Sequence, residues 1–221
     1  MKCFAIALAI GLAGCASEDP VSATVPVAKS IEVVSGSGMI AMYGTTLPDP
    51  LVVHVKDQFG ASFAGAVVTF AASGTVTFNY DSVITSASGT AAVTFSFGLH
   101  AGVDTVTATV SGISTPALFV ETANPGIPGS LSVVSGDAQA KPAGAQLPND
   151  LIVVVRDVAG NPVPRIDVVW TATIGQPSFT RNATGLDGTT RIQFTPAIGT
   201  NVVNVSVDRS SLTTAFTITG N

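Results

Sequence analysis

Hydrophobic and polar residues alternate with a period of two along most of the chain beyond residue 30. In residues 51–57, Leu51, Val53 and Val55 share one face, whereas Val52, His54 and Lys56 lie on the other. This alternation predicts β-strands that bury one face, and the charge on Lys56 marks the opposite face as solvated. No segment of ten or more residues after Cys15 has the 3.6-residue period of a helix. The sequence therefore predicts an all-β fold.

The strand pattern occurs twice, about 100 residues apart. Residues 30–36 (SIEVVSG) recur as 130–136 (SLSVVSG), and the Leu-Pro-x-x-Leu segment at 47–51 recurs at 147–151. The same alignment predicts matched inward positions, which are Ala66, Val68, Phe70 and Ala72 with Ile166, Val168, Trp170 and Ala172; Val93 and Phe95 with Ile192 and Phe194; Val106, Ala108 and Val110 with Val203, Val205 and Val207; and Phe119 with Phe216. About seven short strands per copy favour a β-sandwich, with a closed barrel as the less favoured alternative. The pattern also places Val154 on the outward face, opposite Leu151 and Val155.

The N-terminus has the features of a bacterial lipoprotein signal. A single lysine precedes an apolar stretch, and Leu12-Ala13-Gly14-Cys15 matches the lipobox, in which cleavage precedes a cysteine that carries diacylglycerol. An ordinary signal peptide and a membrane-spanning helix are the alternatives. A spanning helix needs about 20 apolar residues, but polar side chains begin at Ser17. We therefore predict lipidation at Cys15 and, because no aspartate follows it, delivery to the outer membrane.

These features divide the chain into five predicted segments. They are a lipoprotein signal peptide (1–14), a lipidated cysteine with a flexible tether (15–29), a first domain (30–122), a Pro/Gly-containing linker (123–129) and a second domain (130–221).

Several ordered motifs in both copies resemble the bacterial Ig-like domain of the invasin/intimin type. They are the Val-Val-Ser-Gly run, the Leu-Pro-x-x-Leu entry, the Asp-x-x-Gly turn at 57–60 and 157–160, and the inward Val-x-Phe/Trp strand. The resemblance covers nearly all of residues 30–221 and implies two tandem immunoglobulin-like β-sandwiches. Tandem domains of this family form stalks on bacterial surfaces, so the resemblance implies an adhesion or spacer role, with the lipid on Cys15 as anchor.

The charge balance excludes some partners. The whole chain carries nine basic and 14 acidic residues, and without Lys2 the predicted mature chain has a net charge of −6. A protein that binds nucleic acid needs a basic patch to displace counterions, and none is visible here. The mature chain retains only Cys15, so no disulfide is expected in either domain.

The residues do not predict an enzyme, a cofactor or a metal site. His54 and His100 are the only histidines, and both are expected to be solvated. Asp57 and Asp157 fall at turn entries, where an aspartate accepts hydrogen bonds from backbone N–H groups. No calcium-binding Asp-x-Asp-x-Asp-Gly loop is present.

A candidate binding patch emerges from the differences between the copies. Phe59, Tyr43 and Tyr80 in the first copy have no aromatic counterpart in the second, whereas Phe63 replaces the packing residue Val163. Packing over the ends of the sandwich is the alternative explanation. The sequence thus predicts a non-enzymatic envelope protein that binds protein partners, or alternatively surface glycans through Phe59, Tyr43 and Tyr80.

Overall fold

The computed structural model describes residues 24–221, which contain 20 β-strands and no helix. The first ten strands are β1 (Ala28–Ser35), β2 (Ile40–Met42), β3 (Leu51–Asp57), β4 (Val67–Ala72), β5 (Val76–Phe78), β6 (Ser82–Ile84), β7 (Thr90–Val93), β8 (Phe95–Phe97), β9 (Gly102–Val110) and β10 (Ala117–Asn124). The second ten are β11 (Ser130–Ser135), β12 (Ala140–Lys141), β13 (Leu151–Arg156), β14 (Asp167–Ala172), β15 (Gln176–Pro177), β16 (Arg181–Ala183), β17 (Thr189–Ile192), β18 (Phe194–Thr195), β19 (Gly199–Val207) and β20 (Thr213–Gly220). The predicted signal peptide and Cys15 lie outside the described residues.

The two sets of ten strands have the same topology. In the first, a three-stranded sheet (β1-β3-β7) faces a five-stranded sheet (β2-β10-β9-β4-β6), and β5 pairs with β8. In the second, the sheets are β11-β13-β17, β12-β20-β19-β14-β16 and β15-β18. Each strand pair of residues 24–221 lies within one set. The predicted Ig-like β-sandwich architecture is confirmed, and we call the two units the first and second sandwich.

Each sandwich has its own aromatic core, which includes the predicted inward residues Phe95, Trp170 and Phe216. In the first, Phe95 lies between Phe78 and Phe97, with ring centroids 5.8 and 5.0 Å apart. In the second, Trp170 stacks on Phe216 at 6.1 Å and donates its indole N–H to Asn182 Oδ1 at 2.7 Å. Such pairs combine large apolar burial with favourable ring geometry. The matched inward positions are buried as the alternation predicts, except Ala72, Ile166 and Ala172, which are half-buried against the cores.

Three details differ from the sequence predictions. Each copy has ten strands and not about seven, because several strands contain only two or three residues, too few to show an alternating pattern. β1 begins at Ala28, inside the predicted tether, and β10 continues to Asn124, inside the predicted linker, with Ala123 packed in the core. Val154 was predicted to face outward but is buried. Its short side chain lies on the central strand β13, between Ser132 of β11 and Thr189 of β17.

Candidate functional site at the junction of the two sandwiches

The junction is built on the turn that follows β13. The matching turns in the two copies begin at Asp57 and Asp157, as predicted. In each, Oδ1 of the aspartate accepts the backbone N–H groups two and four residues later, at 2.8 and 2.9 Å in the first copy and at 2.9 Å for both in the second. These bonds hold the turn, so both aspartates have a structural role.

Asp157 has a second set of contacts, which Asp57 does not have with any residue of 24–221. Its Oδ2 accepts the backbone N–H of Gly126 in the linker at 2.9 Å and the side-chain amide of Asn161 at 3.1 Å. Burial by itself raises the pKa of Asp157, but the hydrogen bonds from Gly126, Asn161 and Ala159 outweigh it and lower that pKa below its ordinary value. Asp157 is therefore an ionised anchor for the linker.

Asn161 connects the two sandwiches directly. Its Oδ1 accepts the backbone N–H of Ala101 at 2.9 Å, and its Nδ2 donates to the carbonyl of Leu99 at 2.9 Å. Both partners belong to the loop between β8 and β9 of the first sandwich, the loop that also contains His100. Asn161 is only 4 % exposed, so these bonds are shielded from water. In the first copy Ala61 stands at the position of Asn161 and cannot form them.

The linker itself is packed against both sandwiches. A Cβ atom on Gly126 would lie 3.2 Å from the ring and hydroxyl of Tyr43, and one on Gly129 would lie 2.8 Å from the backbone nitrogen of Val158. Tyr43 is half-buried and donates its backbone N–H to Asn124 at 3.0 Å. Only glycine fits at these two positions without displacing neighbouring atoms.

The three candidate binding aromatics do not share one surface. Tyr43 lies at the linker end of the first sandwich. Phe59 lies at the opposite end, in the turn after β3, where the neighbouring Gln58 contacts Val25 and Val27. Tyr80, like Phe59, is about two-thirds exposed, and it lies between β5 and β6. The strand pairings align Tyr80 with Phe179, which is also exposed, so the prediction that Tyr80 has no aromatic counterpart in the second copy is wrong.

The first-copy residues His54 and Phe63 occupy structural positions. The Nε2 of His54 lies 2.9 Å from Ser62 Oγ, and its Nδ1 lies 3.4 Å from Glu32, which also pairs with Lys56. The Lys56 ammonium lowers the pKa of Glu32. Phe63 is half-buried against the first core, at the place of the buried Val163. Within the described residues, no three His, Cys, Asp or Glu side chains cluster as a metal site.

The first sandwich also contains a pair of inward-facing carboxyl groups that the sequence did not single out. Asp104 of β9 and Glu121 of β10 are directly paired, and Glu121 is completely buried. Its Oε2 accepts the backbone N–H of Met39 at 2.7 Å, whereas its Oε1 has no hydrogen-bond partner within residues 24–221. Burial raises the pKa of both groups. The matching residues in the second copy are Asn201 and Ile218. A position-by-position comparison of the copies therefore shows that both carboxyl groups are specific to the first sandwich.

The outer surface of the five-stranded sheet also differs between the sandwiches. In the first it carries seven exposed apolar side chains, which are Ile40, Met42, Val67, Ile84, Val103, Leu118 and Val120. We call four of them the apolar face: Ile40, Val103, Leu118 and Val120. Thr122 brings Ile40 and Val103 into one row, because it is paired with both. The matching residues of the second sandwich are Ala140, Thr200, Ala215 and Thr217.

Comparisons with known proteins support the resemblance seen in the sequence. Residues 48–120 match the family model described as bacterial Ig-like domain (group 1). This match lies in the first sandwich and confirms the Ig-like domain predicted there. No curated protein matches the chain.

The chain also aligns with solved structures of bacterial proteins. InvD of Yersinia pseudotuberculosis aligns with a TM-score of 0.56 and 18% identity over 86% of this chain and 57% of the InvD chain. The D0-D1 domain of intimin aligns with a TM-score of 0.34 and 18% identity over 87% of this chain and 98% of its own. The Yersinia pseudotuberculosis adhesin InvE aligns with a TM-score of 0.37 and 18% identity over 87% of this chain and 58% of the InvE chain. This chain thus spans somewhat more than half of InvD and InvE. At this identity, the similarity to InvD establishes the fold and nothing further.

Proposed function

We propose that this chain, in which residues 48–120 match the bacterial Ig-like family, is a lipid-anchored envelope protein that serves as a spacer and binds protein partners. It acts without catalysis. The lipid on Cys15 anchors it in the outer membrane, and the two sandwiches follow the tether in series. Within residues 24–221, no helix is both long and apolar enough to cross a membrane.

The junction supports the spacer part of the proposal. Asp157 holds the linker at Gly126, and Asn161 holds the loop of the first sandwich at Leu99 and Ala101. Buried hydrogen bonds of this kind resist bending, since opening the junction leaves the polar groups of Asn161 without partners until water reaches them. A stiff junction suits a spacer, because it fixes the second sandwich relative to the first.

The apolar face is the observation that carries the protein-binding part. Leu118, Val120, Ile40 and Val103 are between 48% and 66% exposed on one side of one sheet. The second sandwich has the same topology with threonine or alanine at these places, so the fold itself does not require the larger side chains. Burying apolar surface contributes about 25 cal/mol per Å². Contiguous exposed apolar patches commonly mark surfaces where proteins bind.

The test replaces the apolar face with its second-copy counterpart. The variant is Ile40→Ala, Val103→Thr, Leu118→Ala and Val120→Thr. A photo-crosslinking amino acid at Thr105, between these positions, is expected to give discrete protein adducts on living cells, and the variant is expected to lose them. The same crosslinker at Val202, the matching position of the second sandwich, is the control. Equal adducts in the variant and the parent would contradict the assignment.

The anchor is tested separately. Cys15→Ser is expected to abolish incorporation of labelled palmitate and to release the protein from the membrane fraction. Protease added to intact cells then distinguishes a surface location from a periplasmic one. Labelling that persists in Cys15→Ser would refute lipidation at this residue.

Glycan binding is the second candidate, favoured by the exposure of Phe59 and Tyr80. Because Tyr43 lies against the linker at the other end of the sandwich from Phe59, each aromatic has to be tested alone. Glycan-array binding that is lost in Phe59→Ala or in Tyr80→Ala supports this role. Glycan binding that persists in both variants would show that neither Phe59 nor Tyr80 contributes to it.

A further inference from the structure

A cleft of about 600 Å³ lies between the linker and the second sandwich. Ile127 and Pro128 of the linker form one wall. Arg165 precedes β14, and Arg209, Ser210 and Ser211 form the turn between β19 and β20. Pockets that bind small molecules commonly have volumes of about 300–1,000 Å³ and often lie where domains meet. The size and the place of this cleft therefore suit a small ligand.

The two arginines occupy positions that favour glycine. Arg165 has a φ of 61° and Arg209 a φ of 55°, both in the left-handed region that L side chains rarely adopt. The first sandwich has Gly65 and Gly112 at these places, with φ of 81° and 85°. The first copy therefore shows that glycine satisfies both turns. The second copy instead holds two long cationic side chains under backbone strain, on separate loops that line one cleft.

Left-handed backbone alone does not identify a site in this chain. Ala138 also has a positive φ, of 56°, where the first copy has Gly38, and its side chain has no polar atom. The arginines differ from Ala138 because both are cationic residues that line the same cleft. Strained residues of this kind persist when the surrounding structure holds them, and they often occur in ligand sites.

The carboxylates that line the cleft are already paired with an arginine, so they do not neutralise Arg165 and Arg209. Arg181 binds Asp208 at 2.9 Å and Asp167 at 3.3 Å. Among the described residues, Arg165 has no carboxylate within ion-pair distance, and Arg209 only approaches Asp208, at 3.9 Å, with its side chain 94% exposed. The guanidinium groups of Arg165 and Arg209 therefore retain donors for an external anion.

The remaining walls combine apolar and hydroxyl groups. Ile127, Pro128, Ile166 and Val207 present apolar surface, and Ser210 and Ser211 present hydroxyls. A sugar ring has an apolar C–H face and a rim of hydroxyls, and a carboxylate or phosphate on it matches the planar guanidinium. We propose that this cleft binds an acidic saccharide of one or two rings, with its anionic group between Arg165 and Arg209. This inference does not depend on the proposed function.

The test uses the full mature chain labelled for NMR and titrated with digalacturonate and with glucose 6-phosphate. Backbone signals of Arg165, Arg209 and Ser210 are expected to shift, and galactose and glucose at equal concentration are expected to leave them unchanged. The variant Arg165→Gly with Arg209→Gly introduces the first-copy residues and relieves the strain, so it is expected to fold at least as stably and to bind at least tenfold more weakly. Arg191→Ala, which removes another exposed arginine of the same sandwich, is expected to bind like the parent.

Each other outcome overturns the proposal. Unchanged affinity in the double variant would show that Arg165 and Arg209 do not bind the saccharide. The absence of NMR shifts with both acidic sugars would show that the cleft is not a binding site for them. Inorganic phosphate that binds as tightly as the sugars shows that the walls recognise no saccharide. Phosphatidylglycerol vesicles that bind more tightly than the sugars, and displace them, assign the cleft to a lipid headgroup.

Discussion

Asn161 accepts the backbone N–H of Ala101 at 2.9 Å, and the two residues belong to different sandwiches. Asn161 → Ala introduces the residue that the first copy has at the matching position, Ala61. It is expected to destabilise the junction by about 1–3 kcal/mol, since the N–H of Ala101 and the carbonyl of Leu99 lose their partner. Spin labels placed in the two sandwiches are expected to give a broader distance distribution. Asn204→Ala, on an exposed strand position, is the control, and an unchanged distribution in Asn161→Ala would contradict the role of this residue.

The two turn aspartates are expected to differ in their contribution to stability. Asp57→Ala and Asp157→Ala remove the same turn hydrogen bonds, but only the second also releases Gly126 and Asn161. We expect Asp157→Ala to be more destabilising by roughly 1.5–3 kcal/mol, the usual contribution of a hydrogen bond to a charged group. Urea unfolding followed by circular dichroism measures the difference, and equal losses in the two variants would refute it.

The lowered pKa of Asp157 also predicts a pH dependence. The unfolded chain binds the proton more tightly than the folded one, so this stabilisation is present above the ordinary value of 3.8 and is lost as the pH falls below it. The difference in unfolding free energy between the parent and Asp157→Ala is therefore expected to shrink between pH 5 and pH 2.5. A constant difference over this range would show that ionised Asp157 is not responsible.

Glu121 is expected to have the opposite pH dependence. Burial raises its pKa, so the folded chain binds the proton more tightly, and stability is lost as the pH rises above the ordinary value of 4.5. Glu121→Gln keeps an acceptor for Met39 and removes the charge. Its gain in stability over the parent is expected to increase between pH 4 and pH 8. Glu32→Gln is the matched control, because Lys56 lowers the pKa of Glu32, and its effect should run in the other direction.

Trp170 provides a test of the two-domain division. It is the single tryptophan of the chain and lies in the second core against Phe216. Phe216→Ala is expected to destabilise the transition followed by Trp170 fluorescence by about 3–5 kcal/mol, the usual loss for a buried phenylalanine. Phe119→Ala, at the matching place in the first core, is expected to shift this transition much less. Equal shifts would mean that residues 30–122 and 130–221 unfold as one unit.

The candidate site was only partly accessible from the sequence. The alignment of the copies correctly placed Phe63 at the packing position of Val163, and it contained the replacements of Gly65 by Arg165 and Gly112 by Arg209. His54 was expected to be solvated, but its side chain is only 20% exposed and contacts Ser62 and Glu32. Their meaning was hidden, because a sequence does not show which turns require a positive φ when an arginine occupies them. Similarly, the alternation places Glu121 on the inward face of its strand. Only the structure shows that its Oε1 has no hydrogen-bond partner within residues 24–221.

The sequence by itself determined the all-β architecture and the faces of the strands. It could do so because a strand directs alternate side chains to opposite sides, so the residues of the buried face occur at every second position. The tertiary structure decided how the two sandwiches meet. Asn161 and Ala101 are 60 residues apart, and their hydrogen bond exists only because the linker, held at Gly126 by Asp157, brings two turns from separate domains together. No local pattern encodes such a contact, since it depends on the relative position of two complete domains.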